Sequence, residues 1–170
     1  MLACLDVDYR TDGSAVAACV AFDDWTSARA SATYAVRIAS VEEYQPGEFY
    51  RRELPCLLRV LESAAGPFEV ILVDSYVTLD PSGKPGLGQR LYEALGRTTS
   101  VVGVAKTRFA TASMAIPVLR GTSQNPLWVT AVGLDAKEAA GKVAIMAGAH
   151  RIPTLLRQVD RLARDASPAT

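Results

Sequence analysis

Asp6 stands in an apolar run, Leu2-Ala3-Cys4-Leu5-Asp6-Val7, that reads as a buried strand. An unpaired charge in such a place costs several kcal/mol. Asp74 ends a second apolar run, Val70-Ile71-Leu72-Val73-Asp74. Glu53 follows two arginines and lies beside the helically spaced Leu54, Leu57, Leu58 and Leu61. Carboxylates that converge from the edge of a core need protons, cations or a metal, and such oxygens can hold Mg²⁺ against a phosphodiester. Asp160 adds to the set, flanking an apolar stripe of Leu155, Val159 and Leu162 that Leu156 and Ala163 widen. Each acid also admits a simpler reading. Asp74 can cap a turn with Ser75, Glu53 can pair with Arg51 or Arg52, and Asp160 can pair with Arg157 or Arg164 at helical spacing.

The elements that position these acids follow from pattern and punctuation. Strands are expected over residues 1–9, 14–22 and 30–39, separated by Thr11-Asp12-Gly13 and Asp23-Asp24. Short turns between them predict an antiparallel meander. A turn at Tyr44-Gln45-Pro46-Gly47 leads to a helix reaching about residue 63, with Pro55 kinking it or opening its second segment. Then come a strand over 68–74, a helix around 88–95 and a strand over 101–105. A hairpin over 115–120 and 127–132 follows, and then a helix capped by Asp135 that runs to about Met146. The last helix opens at Pro153 and runs to about Arg164. Three antiparallel strands followed by alternating strands and helices give a mixed α/β sheet. That order resembles the ribonuclease H-like architecture, in which strands one and four lie side by side. One domain over 1–165 and a small, polar tail over 166–170 are expected.

Composition narrows the class. The 170 residues suffice for one proper core, and 49% hydrophobic with 21% charged residues fits a globular chain. No apolar run approaches the roughly 20 residues that span a bilayer. The chain enters a strand without a basic leader, so no signal peptide is expected and the cytoplasm is the expected compartment. Cys4, Cys19 and Cys56 read as buried thiols, and a single His makes a zinc site improbable. Zero net charge argues against bulk electrostatic coating of nucleic acid. It leaves room for a local groove drawn from Arg51, Arg52, Lys84, Arg90, Arg97, Lys106 and Arg108.

Five short motifs, in order along the chain, then carry a specific resemblance. They are Leu5-Asp6-Val7; Tyr44-Gln45-Pro46-Gly47 followed by Arg52-Glu53; Val73-Asp74 before a long loop; Gly103-Val104-Ala105-Lys106; and His150-Arg151-Ile152-Pro153 leading to Arg157-Gln158-Val159-Asp160. Together they resemble the endonuclease V family, metal-dependent nucleases acting on inosine-containing nucleic acid. The resemblance implies Asp6, Glu53, Asp74 and Lys106 as catalytic residues and Asp6, Glu53, Asp74 and Asp160 as holders of Mg²⁺, with Mn²⁺ able to substitute. It implies Tyr44, Pro46, Gly47, Arg52, Lys106, His150 and Arg151 as nucleic-acid contacts, Tyr44 acting as a stacking wedge. DNA or RNA, damaged or single-stranded, is the implied partner. The family's Asp-Gly-x-Gly loop is here Asp74-Ser75-Tyr76-Val77, which puts bulk where backbone closes on a flipped base and predicts weak inosine preference. Two other readings stay open on the residues alone: a nucleic-acid-binding module with little catalysis, and a small-molecule α/β enzyme or interaction domain.

Overall fold

The computed structural model describes residues 1–166. Most of the tail expected at 166–170 therefore lies outside the described residues. Seven strands form one mixed sheet in the order β3-β2-β1-β4-β5-β7-β6. β1 (Leu2–Tyr9), β2 (Ala15–Phe22) and β3 (Ala32–Ile38) make the expected antiparallel meander. β4 (Val70–Val73) and β5 (Ser100–Ala105) add in parallel to β1, and β7 (Leu127–Val132) and β6 (Ile116–Val118) close the sheet antiparallel. This is the ribonuclease H-like mixed sheet, with β1 and β4 adjacent at its centre.

Helices cover both faces. α1 (Phe49–Ser63) and α2 (Leu87–Ala94) pack over Ala3, Leu5, Ile71, Val73 and Val101. α3 (Ala136–Ala144) and α4 (Thr154–Asp165) pack over Cys4, Val20, Leu72, Val104 and Val129. β2 is buried along its whole length because α1 and α4 press it from opposite sides, which explains its unbroken apolar, small-residue sequence. β3, at the sheet edge, alternates half-buried and exposed residues. Asp135 caps α3 as expected, accepting the Lys137 and Glu138 amides at 3.0 Å.

Several boundaries differ from the sequence reading. α1 is one continuous helix with the exposed Pro55 inside it, not two segments. The strand expected at 68–74 is only Val70–Val73, so Asp74 lies just past its end, free of the ladder. The strand expected at 115–120 shrinks to Ile116–Val118. Arg120 leaves it to bury its side chain elsewhere.

The chain after β4 crosses β5 at Gly103. A Cβ there would sit 2.6 Å from Thr130 Oγ1, 3.0 Å from the Val77 amide nitrogen and closer still to the Ser75 carbonyl. Thr130, paired with Gly103 across the β5–β7 ladder, accepts the Val77 amide at 2.8 Å. The glycine of Gly103-Val104-Ala105-Lys106 thus gives the loop room on one face while Lys106 emerges beyond the strand end. Gly103→Ala should cost about 1–3 kcal/mol of stability, the range for overpacking a fitted site. Urea denaturation checks this; a neutral substitution would show that the loop crosses elsewhere.

Candidate active site

β1 and β4 run parallel with Leu5 opposite Val73, which carries Asp6 and Asp74 to the same end of neighbouring strands. Both face the α4 side. There they line one small cavity with Lys106 from the end of β5 and Asp160 from α4; Leu127, Ile152, Leu156 and Val159 form its apolar floor. Glu53 arrives from the opposite face, on α1, and is buried at 7% exposure. Strand ends and two helices on opposite faces therefore aim four carboxylates at one corner of the sheet.

The crowding is electrostatically costly. Asp6 has its pKa pushed up to about 6, mainly by burial and further by Asp74 and Asp160; its bond from the Val7 amide and the charge of Lys106 offset part of this. Glu53 is pushed up to about 8 by burial, then by the charges of Asp6 and Asp74, with Tyr9 and Arg52 pulling the other way. The buried Tyr9 hydroxyl lies beside Glu53 without a well-formed hydrogen bond. The Arg52 guanidinium carbon lies over the Tyr9 ring, 3.7 Å from its centroid, and its charge favours the ionised form of Glu53.

Lys106 answers the negative charge. Its ammonium lies 2.6 Å from Asp74 Oδ2. Burial works against that charge, but the bond to Asp74 and the charges of Asp74, Asp160 and Asp6 outweigh it and raise the Lys106 pKa. Asp160 both lines the cavity and pairs with Arg164 at 3.0 Å, so one of its two simpler partners is realised. The carboxylates supply oxygen donors only, the set suited to Mg²⁺ or Mn²⁺. Among the described residues, no three His, Cys, Asp or Glu side chains form a group that would hold an ion as they stand. Lys106 is the cation paired with Asp74.

The remaining expected contacts are scattered. Tyr44 is 56% exposed on the turn before α1, with Pro46 and Gly47 exposed beside it and Gly47 at a φ of +80°. The exposed Phe49 stands close by in sequence. His150 is exposed, and its carbonyl accepts a bond from Arg120 at 2.9 Å. The Arg151 guanidinium is engaged by the Lys106 and Pro126 carbonyls.

The sequence reading took Tyr76 only as bulk in the loop after Asp74 and did not single out Arg120; the structure gives both a bracing role. Tyr76 is buried; its hydroxyl donates to the Thr107 carbonyl at 2.7 Å and accepts the Phe109 amide at 2.9 Å. It thereby ties the loop after β4 to the loop after β5 and walls a cleft of about 400 Å³ lined by Asp74, Lys106, Arg108 and Phe109. Arg120 is buried among backbone carbonyls. An aromatic side chain and a strand-end arginine gave no local signal of these long-range bonds.

A family model for endonuclease V matches residues 1–152. The chain belongs to the endonuclease V family. Solved endonuclease V structures share its fold. That of Streptomyces avermitilis aligns with a TM-score of 0.77 and 26% identity, over 96% of this chain and 79% of its own. The catalytic domain of human endonuclease V aligns with a TM-score of 0.76 and 22% identity, over 96% of this chain and 80% of its own. Ciona intestinalis endonuclease V, in complex with DNA containing an inosine followed by a ribo-adenosine, aligns with a TM-score of 0.79 and 17% identity, over 96% and 83%. No curated protein sequence matches the chain. No helix among the described residues is long and apolar enough to cross a membrane.

The raised carboxyl pKa values set a pH dependence within this endonuclease V fold. Asp6 and Glu53 bind protons more tightly folded than unfolded, so the native state holds extra protons between the ordinary carboxyl range and about 6 and 8 respectively. The stability these two groups contribute in chelator is fully present below the unfolded carboxyl range and is lost as pH rises through their folded values, about 6 and 8. Thermal melts from pH 4 to 9 should show that fall, and Glu53→Gln should remove its upper part. A melting temperature that rises across pH 6 to 8 would contradict the crowding.

Proposed function

We propose that the protein is a metal-dependent endonuclease that hydrolyses phosphodiester bonds in DNA or RNA beside a deaminated or otherwise unstacked base. One observation carries the reading: in an endonuclease V fold, Asp6, Asp74, Asp160 and Lys106 surround one cavity and Glu53 is buried within electrostatic reach. Asp6, Asp74, Glu53 and Asp160 would hold Mg²⁺ or Mn²⁺ once Lys106 releases Asp74. The ion would supply Lewis-acid polarisation of the phosphoryl group and lower the pKa of water near neutral pH.

The chain's own residues do the rest. Lys106, freed from Asp74, is long enough to neutralise a phosphate at the cavity mouth. Glu53, backed by Arg52 and Tyr9, holds a proton near neutral pH and gives it up as positive charge arrives. Tyr44 is exposed and set on a Pro-Gly turn, which suits a rigid surface for stacking a base. DNA or RNA bearing inosine enters by analogy with the Ciona complex. Selectivity for that base should be weak. Ser75 and Val77 stand where the family has glycine, and Tyr76 and Val77 are packed inward, so the backbone there has no freedom to close on a base edge. Flexible or single-stranded substrates, with bases already unstacked, are therefore favoured.

End-labelled inosine, uracil, mismatch and unmodified oligonucleotides, incubated with the protein and Mg²⁺ or Mn²⁺, test the reading. Cleavage with little preference for inosine is expected. No cleavage of any substrate would refute the nuclease, and strong inosine selectivity would refute the account of the loop. Calorimetric Mn²⁺ titration should show Asp6→Asn and Asp74→Asn each weakening the ion by about 10–100-fold or more, with the fold intact. Unchanged affinity would remove those acids from the metal site. Tyr44→Ala should weaken binding of a lesion-bearing strand by about 1–3 kcal/mol while Tyr44→Phe is nearly silent. Equal losses would mean the hydroxyl, not stacking, matters.

A further inference from the structure

Arg120 and Arg151 are poorly exposed arginines that pair with no carboxylate among the described residues. Arg120, at 6% exposure, spends its guanidinium on backbone. Nη1 donates to the His150 and Arg151 carbonyls at 2.9 and 3.2 Å, Nη2 to those of Met146 and, at 3.1 Å, Gly148, and Nε to that of Ala144 at 3.5 Å. These carbonyls belong to the end of α3 and the loop that follows. A helix end carries orphan carbonyls and partial negative charge, so an inserted guanidinium satisfies both. Gly121, at a φ of +60°, lets the loop approach; a Cβ there would sit 2.5 Å from the Ala149 carbonyl. The backbone of Arg151 is thus clamped.

The Arg151 side chain passes the constraint on. Its Nη2 donates to the Lys106 carbonyl and, at 2.9 Å, to the Pro126 carbonyl, while its Nε is buried. Lys106 is the first residue past β5, and Pro126 directly precedes β7. Arg151 therefore ties together two strand ends at the site's rim. Its own charge is directed at carbonyls rather than outward. Lysine has a flexible four-carbon stem, so what fixes the reach of its ammonium is where its backbone stands. The Lys106 ammonium reaches Asp74 from a pinned base.

We propose that Arg151, locked by Arg120, is a positioning residue that fixes the base of Lys106 beside Asp74, rather than a nucleic-acid contact. The consequence for cleavage rests on the nuclease reading; the placement of Lys106 does not.

The test therefore has two arms. In the first, wild-type protein, Arg151→Ala and Arg151→Lys are treated briefly with an acetyl N-hydroxysuccinimide ester, and acylation of each lysine is followed by mass spectrometry. Lys106 should react several-fold faster in Arg151→Ala, with Arg151→Lys between. Lys84, Lys137 and Lys142 serve as internal controls and should not change. An unchanged Lys106 rate, or all four lysines rising together, overturns the proposal. The second arm measures cleavage kinetics. Arg151→Ala should lower kcat with KM held, and the loss should vanish when Lys106 is already alanine. A raised KM with kcat held, and a shallower salt dependence, is the mark of a phosphate contact and overturns the proposal. A wild-type protein that cuts nothing refutes the nuclease reading, and the acylation rates still decide the placement of Lys106.

Discussion

Too many carboxylates share one corner of the sheet, and the site is arranged around that fact. Asp6 cannot withdraw, because β1 is held between β2 and β4 in the middle of the sheet. Glu53 cannot withdraw either, because it lies on the buried side of α1. Bringing like charges out of water together favours protons or cations. Protons go to Asp6 and Glu53, whose affinities rise to meet them. The nearby cations are Lys106 on Asp74 and Arg52 near Glu53. On the proposed function, a divalent ion would relieve this crowding, as metal binding couples to the protonation of its ligands.

The supports around the corner read as consequences. Strand ends would fray under repulsion if nothing held them, and each is tied. Thr130 receives the chain after β4 at Val77. Tyr76 binds that chain to the loop after β5 through its hydroxyl. Arg151 joins the end of β5 to the start of β7, and Arg120 fixes Arg151 in turn. Arg120, Arg151 and Tyr76 donate to backbone carbonyls outside the ladders, while Thr130 and the Tyr76 hydroxyl accept backbone amides. The same ties explain the altered loop. With Tyr76 committed to the core between loops, the segment after Asp74 is a brace, where a glycine-rich loop would have been a flexible wall.

The frame was legible in the sequence, and the braces were not. The meander of β1 to β3 announced itself through apolar runs and the Thr11-Asp12-Gly13 and Asp23-Asp24 breaks. The cap at Asp135 was readable because capping is local. The side-by-side placement of Asp6 and Asp74 followed from topology, and the structure carries it. Pro55 misled, since a proline inside a helix usually marks a break, yet here α1 runs through it with the ring exposed. The hydrogen bonds of Arg120 and Tyr76 were not legible, because their partners lie roughly 25 to 30 residues away along the chain and are backbone atoms, which no side-chain pattern encodes. Arg151 was noticed for its motif, but the motif does not say which way a guanidinium turns.

Crowding and burial raise the proton affinity of Glu53, and on the proposed function a divalent cation would displace that proton. Calorimetric titration of the protein with Mn²⁺ at pH 7, repeated in buffers of different ionisation heat, measures the protons released on binding. With Glu53 titrating near 8, binding should release about one proton per protein, and the release should fade as pH rises above that value. Binding without proton release at pH 7, or no binding at all, would contradict the account.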